Sequence, residues 1–509
     1  MTSCPARFSV MNERTNPSVL KHVLSILSGP AAFFLFLCLP PAEGLSPLGM
    51  KCCAAGLWIV LWWITEPFPI ALTSLFSLLL YAVLGLLKPP VSFAFLGNTS
   101  IVLLLGSMIL LGVWKESRLI ERYAYWTISM GWVKGRPLRL LLVFGVAGGM
   151  LSMIVPNIPV AILFVSIAVA MARGVEAKPG DPLYRCLCMS SGISSALGGA
   201  GTPIGGAPNL VVIGVIASAL HYEMPFWAWS AIGFPMAMLW LLVMVGLLWF
   251  MFLRGAKHVD IPLDIAAERL KALGPVTRHE HIAMFTMILA LLLWSFGQPL
   301  AGLLGFPGLA RILTPPIIAL FCGCLLFFIP MKKEENGRIR FAMSWQQGLR
   351  AMNWDILIFV AGALAFGDML IKGGVDKFLA AHLGDILGDM SPTTVWVVLM
   401  ALSGLVSQAF SNVAVIGLML PVTAAISVEY GLNPIVTCLT VGMVSNIGIM
   451  FPVSSPPTAV TLMGAEGYTN ARDFLRFSVP MIALASVIAL IVGLLLGDIV
   501  FPAELLAAR

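Results

Sequence analysis

Charge is what this 509-residue chain has least of: Asp, Glu, Lys and Arg together make up 11% of it, against 59% hydrophobic residues. A soluble domain of this length needs many more charges to cover its surface, so the scarcity excludes one and leaves an all-α polytopic membrane protein. Histidine is also sparse. Its six residues fall in loops or near helix ends, and His279-Glu280-His281 lacks the spacing that places two metal ligands on one helix face. The nine cysteines include Cys52-Cys53, Cys186-x-Cys188 and Cys322-x-Cys324, with neither zinc-ligand nor disulfide-framework spacing, and read as small packing residues. No paired acids or His/Asp cluster stands at a helix end, which makes a membrane-embedded enzyme the remotest function class. No organic cofactor is indicated. The net charge of +6 does not point to nucleic acid, because the basic residues sit in short loops between apolar runs.

What the chain does have is hydrophobic runs. Segments of spanning length fall near 23–40, 52–65, 68–88, 98–114, 224–253, 281–300, 312–330, 354–371 and 475–500. The first follows Arg7, Arg14 and Lys21 as a signal peptide would. It contains Gly29-Pro30 and lacks a small-x-small cleavage site, so it reads as a membrane helix. Two further runs, 187–220 and 435–464, are broken by glycine and proline. Another two, 140–172 and 392–427, contain no charged residue. Loop charge sorts them. Of the 30 Lys and Arg residues, 24 lie in 1–21, 114–139, 173–185, 254–278, 331–350 and 464–476, which marks those loops as cytoplasmic. The run 140–172 then has basic loops on both flanks, and 392–427 has base-poor loops on both. Each enters and leaves on one side. Each splits at a polar break into two helices of about 15 residues, roughly 22 Å at 1.5 Å per residue, short of the ~30 Å hydrocarbon core. This predicts about eleven transmembrane helices and two re-entrant helical hairpins, with the N-terminus cytoplasmic and the C-terminus outside. The alternative, ordinary spanning helices kinked by proline, breaks the charge alternation.

The breaks repeat. The first hairpin carries Ser152-Met-Ile-Val-Pro156-Asn157-Ile-Pro159, and the second carries Ser407-Gln-Ala-Phe-Ser411-Asn412-Val. In both, Ser stands five positions before Asn. The helix after the first hairpin is interrupted by Gly201-Thr202-Pro203-Ile-Gly205-Gly206-Ala-Pro208-Asn209. The helix after the second is interrupted by Phe451-Pro452-Val-Ser454-Ser455-Pro456-Pro457-Thr458. Two prolines stand five apart in each. Glycine and proline free backbone groups from helix bonding, and freed carbonyls suit Na⁺ while helix N-termini suit anions. Upstream, the Gly106 and Gly362 regions correspond. Paired interrupted segments in two like halves entering from opposite sides are transporter architecture. The boundaries that follow are 1–97 for N-terminal scaffold helices, 98–254 for the first repeat, 255–280 for a cytoplasmic linker and 281–509 for the second half. No Lys or Arg occurs in either hairpin or broken helix. An anion there must be met by helix dipoles, Asn, Ser and Thr donors and co-bound cations.

These residues resemble the divalent anion/sodium symporter family of the wider ion transporter superfamily. Leu61-Trp62-Trp63-Ile64-Thr65-Glu66-Pro67-Phe-Pro69 is similar to its Trp-Ile-Thr-Glu-x-x-Pro signature. Leu273-Gly274-Pro275 with Glu280 and Leu293-Trp294 is similar to the entry into its seventh helix. The resemblance implies a secondary transporter of a small anion, a di- or tricarboxylate or a sulfate-like ion, coupled to Na⁺. It also implies a homodimer in which hairpins and broken helices move as an elevator against a static scaffold in a bacterial inner membrane. Carried over by position, Asn157, Ser411 and Asn412 match the Ser-Asn-Thr motifs that bind substrate and help enclose sodium. Ser152 and Ser407 match hydroxyls near the two sodium sites, and Gly201 and Ser454 supply backbone oxygens. Ser455 and Pro456 match positions beside the substrate. Thr202, Asn209 and Thr458 complete the expected substrate set. Departures stand at Pro156 for the first motif serine, at Ile158 and Val413 for both threonines, and at Gly206-Ala207 where Thr-Pro is usual. Such losses of hydrogen-bond donors change which substrate a buried polar site accepts.

Other readings weigh less. Glu66 sits where a structural cap serves, and Asp355 and Asp368 lie at the ends of one helix, where proton coupling is the functional alternative to interfacial carboxylates. Sodium-independent anion exchange, or carriage of another ion such as arsenite or Na⁺/H⁺, is the competing transport function. A channel would need a continuous pore, which two hairpins meeting at the midplane argue against.

Overall fold

Proline fixes where many of the helices begin. In a computed structural model, residues 19–40, 42–133, 136–254, 263–333, 339–451 and 454–502 are described, and they form an almost wholly helical protein. The first half comprises α1 (Val19–Leu37), α2 (Pro47–Thr65), α3 (Ile70–Val83), α4 (Pro89–Ala94), α5 (Thr99–Glu116) and α6 (Leu119–Ile128). It continues with α7 (Pro137–Ser152), α8 (Asn157–Gly174), α9 (Pro182–Gly198), α10 (Ala207–Leu220) and α11 (Phe226–Leu248). After α12 (Leu263–Ala272), the second half runs through α13 (Arg278–Leu292), α14 (Gln298–Leu303), α15 (Pro307–Ile312) and α16 (Pro315–Phe328). A ribbon of β1 (Pro330–Lys333) and β2 (Ile339–Phe341) follows. Then come α17 (Trp345–Ala351), α18 (Trp354–Lys372), α19 (Val375–Leu387), α20 (Pro392–Ala409), α21 (Asn412–Glu429), α22 (Pro434–Ser445), α23 (Pro456–Gly464) and α24 (Ala471–Val500). Proline occupies the first turn of α2, α7, α9, α16, α20, α22 and α23, where its missing N–H has no helical partner to lose.

The order α5 to α11 repeats as α18 to α24, and the packing exchanges partners between halves. Helix α16 packs on α5, and α3 packs on α18. Glycine stands at each contact. A side chain at Gly106 would collide with the backbone of Ala319 and Leu320, and one at Gly362 with Ser74. Likewise α10 packs on α21 while α23 packs on α8, and α11 meets α24 between them. Trp240 ties that last contact, its Nε1 donating to Ala485 O at 3.0 Å. The correspondence of Gly106 with Gly362 is therefore a pair of equivalent close approaches, each to the other half.

Among the described residues, nine helical segments are long and apolar enough to cross a membrane, and six shorter apolar helices accompany them. Three of the nine are the hairpin helices α8, α20 and α21, at 18 residues each, with α7 at 16. All four are longer than the expected 15. The breaks are short, Met153–Pro156 and Phe410–Ser411, because the helices run almost up to the polar residues that end them.

The charged loops hold more structure than their composition suggests. Within 114–139 lies α6, and the ribbon and α17 overlap most of 331–350. The linker 255–280 contains α12 and the start of α13. Residues 255–262 of it lie outside those described, as do residues 1–18 and 503–509 and Pro452-Val453 of the second break. Helix α12 packs on α6 and α8, with Ile265 filling the space beside Gly174. The Leu273-Gly274-Pro275 block serves the same region. Arg122 of α6 donates to the carbonyls of Leu273, Gly274 and Pro275 and pairs with buried Glu280 at 2.5 Å. Glu280 closes a capping box with Thr277 at the start of α13. Glu66 has left-handed backbone (φ 43°) and ends α2, its N–H bonded to Trp62 O. Asp368 pairs with Lys372 at 2.7 Å, and His279 contacts the Ala342 carbonyl at 2.9 Å. Among the described residues there is no cluster of three metal-ligating side chains, and the thiols are unpaired, five of them buried.

Candidate binding site at the two hairpin tips

Each hairpin ends against the break in the helix that follows it. At the first tip, α7 stops at Ser152 and α8 starts at Asn157. The Asn157 amide is surrounded by acceptors, so its Nδ2 donates to Ser152 Oγ at 2.7 Å, Gly205 O at 2.9 Å and Ser195 O at 3.2 Å. The amide lies against Gly199, where a Cβ would collide with it. Thr202 Oγ donates to the Met153 carbonyl, which fixes the hairpin turn to the broken helix. Asn209 holds the unwound backbone from below, its Nδ2 donating to Gly199 O at 2.7 Å and Thr202 O at 2.8 Å. Trp229 of α11 donates to Ala200 O at 2.9 Å. The freed carbonyls of this hinge are thus largely held by side chains.

The second tip is built on the same plan with different parts. Asn412, at the start of α21, donates from Nδ2 to Asn446 O at 3.0 Å. Its Oδ1 is buried and has no partner among the described residues. That oxygen faces Gly448, where a Cβ would collide with it and would also crowd the Ser407 carbonyl. Ser407 Oγ donates to Gly404 O at 2.9 Å, and Ser454 Oγ donates to Phe451 O at 2.8 Å and Gly448 O at 3.1 Å. Ser455 and Thr458 are buried, and neither hydroxyl has a partner among the described residues. Pro456 opens α23.

Two residues carry this tip without having been singled out from the sequence. Gln408 donates from Nε2 to Gly404 O and Ile447 O, both at 2.8 Å. Its Oε1 accepts from the N–H groups of Ile449 and Met450, both at 3.1 Å. It staples the hairpin to the hinge from the hairpin side. Its counterpart in the first hairpin is Met153, which has no such capacity. Asn446 joins the halves: its Nδ2 reaches Asn209 Oδ1 at 3.4 Å. A continuous polar path then runs from Asn157 through the first hinge, Asn209 and Asn446 to Asn412. The sequence signal for both was present, since Gln408 follows Ser407 directly and Asn446 is a lone amide in an apolar run.

Of the expected residues, Asn157, Ser152, Thr202 and Asn209 come together at the first hinge, and Ser407, Ser411, Asn412, Ser454, Ser455, Pro456 and Thr458 border the second. Gly201 packs on the Met153 side chain, and the carbonyl that Asn157 reaches is that of Gly205. Helices α8, α10, α21 and α23 all begin here, and none has a side-chain cap on its first N–H groups. By contrast α9, α20 and α22 are capped by Asp181, Ser391 and Asn433. Uncapped N–H groups and positive dipole ends favour an anion. An orphaned amide oxygen and a carbonyl beside a glycine cradle favour a small hard cation. No residue named at either tip is ionisable.

Residues 20–502 match the family model described as the sodium:sulfate symporter transmembrane region. A sodium-dependent dicarboxylate transporter of Staphylococcus saprophyticus is 31% identical over 461 residues, spanning 88% of this chain and 87% of that protein. The transporter of the same description from Staphylococcus aureus strain USA300 is 28% identical over 466 residues, spanning 89% and 87%. In fold, the chain is similar to the crystal structure of the Alcanivorax borkumensis YdaH transporter, described as having an unusual topology. The TM-score is 0.53 at 14% identity, covering 94% of this chain and 97% of that one.

Proposed function

Because this chain belongs to the sodium:sulfate symporter family, we propose that it is a secondary transporter that couples movement of a small anion to Na⁺ through the two hairpin tips. It is an integral membrane protein, not an enzyme. The relatives' named cargo sets dicarboxylates as the first class to test, with sulfate-like ions beside them.

The observation that carries the site is the unpaired Oδ1 of Asn412, buried against Gly448 beside the Ser407 carbonyl. A buried acceptor without a donor is costly, and a Na⁺ bound there would satisfy it. Ser407, Asn412 and Ser454 would border the second cation. Ser152, Asn157 and Gly201 would border the first, beside the Gly205 carbonyl that accepts from Asn157. The substrate would then meet Ser411, Ser455, Pro456 and Thr458 together with the open N–H groups of the four helix starts, with Thr202 and Asn209 holding the first hinge in shape.

Loop charge and the seating of each tip against a mid-helix break support re-entrance of the two hairpins from opposite sides, with a cytoplasmic N-terminus in a bacterial inner membrane. An elevator motion is supported by one asymmetry. Helices α10 and α21 rest on α18, with Gly214 against Leu364, Gly417 beside Ala363 and Gly367 beside Pro421. The counterparts α23 and α8 have no comparable seat on α5. Small residues along such a contact let the helix backbones of the two blocks approach closely. A homodimer belongs to the same proposal.

The test is uptake into proteoliposomes. Transport should depend on an inward sodium gradient and collapse in both Asn157→Ala and Asn412→Ala. Unchanged uptake in both variants would refute the site, and counterflow that persists without sodium or proton gradients would favour exchange instead.

A further inference from the structure

We infer that the groove between α20 and α24 is a lipid site, in which one acyl chain of the outer leaflet lies against the second hairpin and braces its hinge. The choice of leaflet and the sodium readout below rest on the re-entrant, sodium-coupled reading above. The groove itself does not.

Every residue lining the groove belongs to α20 or α24, apart from Met450 of the second break. Met400 and Ile482 form a buried floor, and Val397, Leu405, Val479 and Val487 form rims that are 40–62% exposed. The one polar side chain, Ser486, donates to Ile482 O at 2.9 Å and offers nothing further to a polar guest. The space amounts to about 380 Å³, whereas apolar cavities of about 150 Å³ already stay dry and take up a benzene-sized molecule. The two helices run antiparallel, since a Cβ at Gly493 would collide with Trp396 and one at Gly404 would rest beside Ile482. From Val397 to Leu405 is about 12 Å of α20, and from Val479 to Leu490 is about 16 Å of α24. One leaflet is half of the ~30 Å hydrocarbon core, or about 15 Å. The groove therefore has the length of a single acyl chain, with its outer mouth near Val397 and Leu490 and its closed end at Met450.

The inverted repeat shows what else could have filled it. In the first half the matching helices, α7 and α11, touch directly: Gly145 admits Met244 and Val245, and Gly149 admits Leu241. At the matching places in the second half stand Met400 and Gly404, and a Cβ at Gly404 would still lie 3.7 Å from Ile482. On the other side of α20, a cavity of about 210 Å³ against α21 is covered by Leu379 and Leu387 of α19. Among the described residues no third helix lines the groove toward α24. Its rims instead join the outer surface of α24, which carries no charge over residues 477–497 and meets the bilayer. The cover is hydrocarbon. Lipid tails are as apolar as the side chains, so the gain is one of packing: a seated chain supplies dispersion contacts that a bare floor lacks. The closed end gives the site its consequence. Met450 N–H is one of the two groups that Gln408 Oε1 accepts, at 3.1 Å. A chain end packed on Met450 steadies that staple beside Ser407, and with it the backbone around the second cation.

The experiment uses the purified full-length protein in nanodiscs of phosphatidylcholine that carries a diazirine either at the end of one acyl chain or near its carboxyl group. The matching diazirine fatty acid is a separate arm, and either source of the chain supports the site. Cross-linked peptides are read by mass spectrometry. The expected result is chain-end label on Met450 and residues 479–482 and carboxyl-end label on Val397 and Leu490. Both should stand severalfold above label on the exposed face of α13 at Phe285 and Ile288. Ala401→Phe combined with Ala483→Phe fills the groove and should remove that excess while leaving α13 labelled. Should that variant fail to fold, the ratio of groove to α13 label in the unmodified protein alone decides. Equal labelling of groove and α13, or a filled variant labelled as before, overturns the site. Loss of a dimer in the filled variant, with no lipid label in the unmodified groove, assigns the groove to a second copy of the chain and overturns it too. In detergent, added phosphatidylcholine should lower the sodium concentration for half-maximal thermal stabilisation severalfold, and leave the filled variant unmoved. A sodium curve indifferent to lipid in the unmodified protein overturns the bracing. No sodium response under any condition removes the sodium-coupled reading, while the labelling still decides the site.

Discussion

Asn446 Nδ2 lies 3.4 Å from Asn209 Oδ1, and this hydrogen bond connects the hinge of one half to the hinge of the other. Both residues are buried, at 5% and 1% exposure, so neither amide can turn to water if its partner is lost. Asn446→Ala removes the donor to Asn209 and empties the space beside Asn412. The expected cost is about 1–3 kcal/mol for the acceptor left unpaired. A lowered melting temperature in detergent, with part of the sodium-induced stabilisation lost, is the readout. A variant with unchanged melting and unchanged sodium response would break the proposed path between the tips.

Gly448→Ala places a methyl group where Asn412 Oδ1 and the Ser407 carbonyl now converge. The expected outcome is loss of most sodium-induced stabilisation with retained expression. Gly246→Ala is the control, because it meets nothing within 4 Å and a helical Gly→Ala change is favourable by up to about 1 kcal/mol. Equal sodium titrations for the two variants would remove Gly448 from the cation site.

Gln408→Met gives the second hairpin the residue found at the matching place in the first. It leaves the Ile449 and Met450 N–H groups without their acceptor, each worth about 1–3 kcal/mol if buried and unpaired. Stability should fall, and half-saturation by sodium should move at least severalfold higher. An unaltered sodium curve would mean that the hinge holds its shape without the staple.

Arg122→Ala strands Glu280, whose side chain is 1% exposed. Breaking a buried pair by removing one partner costs about 3–5 kcal/mol. The measurement is the yield and melting temperature of folded protein. Glu280→Gln added to Arg122→Ala should recover part of the loss. A double variant no better than the single would assign the effect to the three carbonyl contacts of Arg122 instead.

The sequence reported the hairpins and hinges well because they are spelled in local chemistry. A polar break in an uncharged run, a pair of prolines five apart and a Ser five before an Asn all act within one or two helical turns. Gly106 and Gly362 could be paired by position for the same reason. What escaped depends on distance along the chain. Gln408 reads as a neutral neighbour of Ser407 until its partners, some 40 residues on, are seen to be hinge groups. That the Asn157 amide meets the Gly205 carbonyl turns on how the unwound backbone is aimed, which glycine alone does not dictate. Helices α6, α12 and α17 read as loops because their charges match the loops around them. Their apolar faces are too short to announce a helix. The extra length of the hairpin helices was hidden by Ser152 and Ala409, residues as compatible with a helix as with its end.

The exchanged packing of α5 with α16 and of α3 with α18 also bears on how the protein is made. Gly106 finds the backbone it was shaped to meet only when Ala319 has been synthesised, and Ser74 waits for Gly362. At about 5–20 residues per second, the first of these delays is roughly 10–40 s. Throughout it the early helices sit in the bilayer with their closest contact surface uncovered. Neither half can finish alone, so a truncated first half should persist as a substrate for membrane quality control, and assembly must follow insertion of nearly the whole chain.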